Sequence, residues 1–103
     1  MKYSVCTLEK APGVPFKFDG RILFVSDRYE LIHLTLQPGE GMEPHVQPMD
    51  VVFFVLEGSG LLTIGQAALE ISTTATVHVK ADVSRAWKNN GDRPLKILVN
   101  KLM

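Results

Sequence analysis

The sequence predicts an all-β domain, folded as an antiparallel sandwich or a closed barrel. Two observations lead there. Turn-forming residues break the chain every few positions, at Pro12-Gly13, Asp19-Gly20, Pro38-Gly39, Gly58-Ser59-Gly60, Gly65-Gln66 and Asn90-Gly91. Between the breaks lie short runs rich in Val, Ile, Leu, Phe and Thr, and no segment keeps a helical period for three turns. Many short strands with no helices between them favour antiparallel sheets, and closing those sheets removes exposed edges.

The runs follow in order. Residues 21–25 come after Asp19-Gly20, and residues 29–36 end at Pro38-Gly39. Residues 51–57 form the longest apolar run, VVFFVL, and stop at the glycine turn of 58–60. Residues 61–64 and 67–71 flank Gly65-Gln66. Residues 75–79, 83–88 and 95–102 complete the set, the last after Asn90-Gly91. All have strand lengths and are short for helices.

The 103 residues are expected to form one domain, 1–103, and 46% of them are hydrophobic, which separates the chain from disordered compositions. Eleven basic residues balance eleven acidic ones, so no broad positive field is available for nucleic acid, which is not expected as a partner. Cys6 is the only cysteine, which excludes an intramolecular disulfide and suits a reducing compartment. Residues 1–10 contain no signal-peptide core, and no apolar run approaches a membrane span. The expectation is a cytoplasmic protein with no membrane partner.

Residues 38–60 read PGEGMEPHVQPMDVVFFVLEGSG. This segment resembles the first motif of the cupin superfamily, G-x5-H-x-H-x3/4-E-x6-G, with Gly39, His45 and Gly58 in place. The second motif, G-x5-P-x-G-x2-H-x3-N, falls on residues 74–89 and keeps Asn89. The short spacer between the motifs is similar to that of microbial cupins, and GDRPLKILV resembles the family's closing strand. The resemblance implies a double-stranded β-helix, a jelly-roll-like barrel, usually of a homodimer, with an interior metal site of three histidines and a glutamate.

The expected ligands are mostly replaced. His45 stands at the first histidine, but Gln47, Val51 and Arg85 stand at the second histidine, the glutamate and the third histidine. Valine cannot coordinate, and a guanidinium offers no lone pair and repels a divalent ion. No cofactor is therefore expected. A divalent transition metal remains as an alternative on His45, Gln47 and Asp50. Asp50 sits one residue before the glutamate position, and a one-residue step in a strand turns a side chain to the opposite face. His33 and His78 are further candidates.

Strand alternation puts Arg85, Trp87 and Asn89 on one face and Val51, Phe53 and Val55 on one face. The expected ligand-binding residues are His45, Gln47, Val51, Phe53, Arg85, Trp87 and Asn89. They describe an apolar cavity with a few converging polar groups. Arg85 suits a planar anion, a carboxylate or phosphate, held by two parallel hydrogen bonds. His45 and Gln47 would orient the remainder of the ligand and Trp87 would stack on it. The competing reading pairs Arg85 with Asp82, Asp50 or Glu43, makes Trp87 core packing and gives Asn89 to the turn before Gly91. Met42 and Met49 flank the expected mouth, and Phe54, on the opposite face from Phe53, suggests a homodimer interface. Three functions follow. The first is non-catalytic binding of a small acidic molecule. The second is acid–base isomerisation or epimerisation of a sugar with His45 as base. The third is a metal-dependent oxygenase or isomerase with a non-standard site.

Overall fold

A computed structural model describes residues 2–15 and 17–103. The chain opens with a 3-10 turn at Leu8–Lys10, which the turn-and-strand reading did not anticipate. Eight strands follow: β1 Asp19–Val25, β2 Tyr29–Leu36, β3 Asp50–Glu57, β4 Ser59–Ile64, β5 Ala67–Ser72, β6 Thr76–Val79, β7 Arg85–Lys88 and β8 Leu95–Leu102. All pairings between them are antiparallel. One sheet has the order β1-β2-β8-β3-β6, and a second has the order β5-β4-β7. The chain crosses between the sheets as a jelly-roll-like barrel does.

The second sheet is widened by an irregular segment. Gly41 bridges Lys88 and His45 bridges Arg85, so residues 41–45 lie along the free side of β7. The glycines of the first motif have a conformational reason. Gly39 and Gly58 take positive φ, +88° and +80°. A Cβ at Gly58 would also lie 2.5 Å from the Pro94 carbonyl oxygen.

The core lies between the sheets. Ile32, Leu34 and Leu36 of β2, Val51, Phe53 and Val55 of β3, and Leu95, Ile97 and Val99 of β8 meet Leu62 and Trp87 from the second sheet. The alternation is that of strands packed on one face. Trp87 is fully buried and meets Phe53 edge to face, with ring centroids 5.5 Å apart and planes at 85°. No described helix is long and apolar enough to cross a membrane.

Candidate functional site

One end of the barrel holds a cavity of about 530 Å³. Its floor is apolar: Ile32 and Leu34 from β2, Val51 and Phe53 from β3, and Val99 from β8. Gly41, Met42, Glu43, His45 and Gln47 form the opposite wall, and Pro15, Lys17 and Phe18 come from the segment before β1. Lys101 adds a charge at the end of β8. Glu43 and Lys17 are exposed and mark the mouth.

Four of the seven expected binding residues, His45, Gln47, Val51 and Phe53, thus share one cavity. His45 is held by its backbone against Arg85, through N–H···O bonds of 3.1 and 3.0 Å in the two directions. Its ring Nδ1 lies 3.1 Å from the Glu43 carbonyl oxygen. Gln47 is fixed by its backbone, whose carbonyl accepts from the Asp82 N–H at 2.8 Å.

The other three, Arg85, Trp87 and Asn89, do not line the cavity. Asn89 is fully buried and its amide is committed to backbone. Nδ2 donates to Leu36 O at 2.8 Å and Arg93 O at 2.7 Å, while Oδ1 accepts from Gly91 N–H at 3.0 Å. Trp87 is core packing behind Phe53, and its Nε1–H has no partner among the described residues. Arg85 leaves the same face as its sheet partners His45 and Ile64 and is 1% exposed. Its Nε donates to Val83 O at 2.9 Å and its Nη2 to Lys80 O at 3.4 Å, which directs the guanidinium toward the loop before β7.

Neither sequence reading of Arg85 describes this arrangement. Asp82, Asp50 and Glu43 make no ion pair with it among the described residues. Burial alone lowers its pKa from the usual value, with no carboxylate nearby to offset it. The guanidinium nonetheless remains charged. A buried cation satisfied only by carbonyl oxygens adds positive potential behind the cavity wall.

Strand parity keeps the alternative metal set of His45, Gln47 and Asp50 from coming together in this structure. Val51 lines the cavity, so Asp50 turns to the outer face. There its Oδ2 meets His78 Nε2 at 2.7 Å and its Oδ1 accepts from Ala81 N–H at 3.0 Å. The His78 hydrogen bond, followed by that of Ala81, holds the Asp50 carboxyl below its ordinary pKa. His33 also faces outward, between the cavity-lining Ile32 and Leu34. No group of three metal-binding side chains exists among the described residues. One imidazole and one amide do not fit the family's four-ligand metal site.

Sequence reading missed Lys101, Lys17, Phe18 and the β2 and β8 floor. Alternation along 95–102 places Val99 and Lys101 on the core face, which is a usable signal. What it lacks is strand order. Only the pairing of β8 with β3 shows that Lys101 stands directly beside Val51.

The backbone also supports the motif alignment. Thr74 and Asp82 stand at the second motif's two glycine positions. They are the two non-glycine residues with positive φ among those described, at 69° and 66°.

Comparison with known proteins agrees with this architecture. The family model described as "Cupin domain" matches residues 32–100. No curated protein matches the chain by sequence. Among solved structures, a predicted oxalate decarboxylase from Thermotoga maritima is 13% identical, with TM-score 0.88 over 97% of this chain and 99% of that one. KdgF from Halomonas sp. is 10% identical, with TM-score 0.84 over 99% and 96%. The polyketide cyclase RemF from Streptomyces resistomycificus is 17% identical, with TM-score 0.84 over 99% of this chain and 80% of that one. At these identities the likeness is one of fold.

Proposed function

The chain belongs to the cupin family, and we propose that its barrel binds a small organic acid without a metal ion. The observation that carries this reading is the buried Arg85 guanidinium, unpaired by any described carboxylate, on the inner face beside cavity-lining His45. A cation in that position favours an anion and opposes a divalent ion. Arg85 acts through its field, since its donors are turned to Val83 and Lys80. His45 and Gln47 supply polar contacts, and Val51 and Phe53 take the apolar body of the ligand.

The test is a thermal-shift panel of aromatic and aliphatic carboxylates, each matched with its amide. Acids that bind the folded state raise the melting temperature with concentration, and their amides do not. Equal shifts from acids and amides would count against the reading.

A second reading is supported by the charged groups around His45. Glu43, two residues before His45 on the same cavity wall, would serve as a second proton-transfer group beside the His45 imidazole, as isomerisation or epimerisation requires. Turnover of a candidate sugar that survives His45→Ala would remove His45 as its base.

For assembly, we propose a homodimer through the outer face of the five-stranded sheet. Leu31, Val52, Phe54 and Leu98 are only half-buried there, and Phe24 and Leu102 are each 46% exposed. Sedimentation equilibrium at the mass of one chain would contradict it.

A further inference from the structure

The charges within the cavity allow a finer statement, which rests on the reading of that cavity as a seat for an organic acid. Lys101 is the last inward-facing residue of β8 and part of the cavity wall. It stands between Glu30 on β2 and Val51 on β3, directly opposite each. Its Nζ lies 3.2 Å from Glu30 Oε1, and both side chains are only 20% exposed. The other Lys and Arg pairs are looser or more exposed: Lys96–Glu57 is 3.8 Å at 39% and 58%, and Arg21–Asp19 is 37% and 54% exposed. A lysine brought to an apolar wall needs a counter-charge, and Glu30 supplies it from the neighbouring strand.

An ammonium has three donors, and Glu30 occupies one direction. Glu30 does not line the cavity, whereas Lys101 does. We propose that Lys101 anchors the acid group of the ligand, and that Glu30 is an internal counter-ion which positions the ammonium and competes for it. The ligand class follows from the surroundings. The Lys101 ammonium stands beside a floor of Ile32, Phe53 and Val99, while Lys17 and Glu43 are exposed at the mouth, and this suits an amphipathic monoanion with a flat apolar body. His45 and Gln47, on the opposite wall, face the rest of that body.

Two fluorescent probes isolate the charge. 8-Anilinonaphthalene-1-sulfonate and N-phenyl-1-naphthylamine share an aryl amine, and only the first carries an acid. The wild-type protein is expected to bind the sulfonate about tenfold more tightly than the neutral probe. Lys101→Met should abolish that preference by weakening the sulfonate about tenfold while the neutral probe still binds. Glu30→Gln should move the other way, tightening the sulfonate and leaving the neutral probe unchanged. It carries the test even if the lysine variant fails to fold. A sulfonate preference that persists in Lys101→Met, or a Glu30→Gln variant with weakened sulfonate binding, overturns the role of Lys101. Equal binding of both probes by the wild type, or binding of neither, overturns the organic-acid reading itself.

Discussion

Lys101 lies directly across the β3–β8 ladder from Val51. Val51 stands where the cupin pattern sends a carboxylate into the barrel. This chain therefore replaces an anion at the metal position with an alkyl group and sets a cation beside it. Arg85, at the third histidine's position, adds a second positive charge behind the wall. Both changes push in one direction, away from a divalent ion and toward an organic anion.

Asn89, the one residue retained from the second motif besides its backbone pattern, is predicted to act on stability and not on binding. Its amide makes three hydrogen bonds to backbone, tying β7 to the end of β2 and the turn at Gly91. Asn89→Ala leaves buried carbonyls unpaired and is expected to cost about 3 kcal/mol in urea unfolding, with ligand affinity unchanged in the folded fraction.

Thr74 and Asp82 hold left-handed backbone that side chains disfavour. Glycine relieves that strain but gives the unfolded chain more freedom, so the gain is partial. Thr74→Gly is predicted to stabilise by about 0.5 kcal/mol, since its β-branched side chain suffers most. Asp82→Gly should change less, because Asp tolerates this region. Chemical denaturation of the two variants measures both.

His33 should make the fold acid-sensitive. It is 8% exposed, and its Nδ1 has no partner among the described residues. Burial first, then the charge of Lys96, lowers its pKa below 6.5, against a weaker upward pull from Asp19. Arg21 stands directly across the ladder from it. Above 6.5 the ring is neutral folded and unfolded, so it contributes no slope. Below 6.5 the unfolded chain takes the proton more readily, and stability falls as pH drops. Thermal melts from pH 7.5 to 5 should show this decline in the wild type and a shallower one in His33→Gln.

The architecture was legible because it rests on local signals. Turn residues bounded several of the eight strands, and VVFFVL with its following glycine marked the central strand. Strand parity also placed Asp50 and Val51 on opposite faces, as the Asp50–His78 contact shows. The site was less legible, because it depends on how distant strands pair. Lys101 and Val51 are neighbours only through the β3–β8 register. For Arg85, alternation with Trp87 gave the inward direction. The end point of the guanidinium depends on the carbonyls of Lys80 and Val83. Those carbonyls are presented by a loop whose turn at Asp82 has no sequence signature.

The central claim is that the barrel interior accepts an anion in place of a metal. Calorimetric titration of the metal-stripped wild-type protein, with 8-anilinonaphthalene-1-sulfonate and separately with Zn(II), tests it most directly. The account predicts saturation by the sulfonate at one site per chain, with affinity that falls as salt rises, and no stoichiometric uptake of zinc. Tight binding of one Zn(II) per chain that displaces the sulfonate would contradict it.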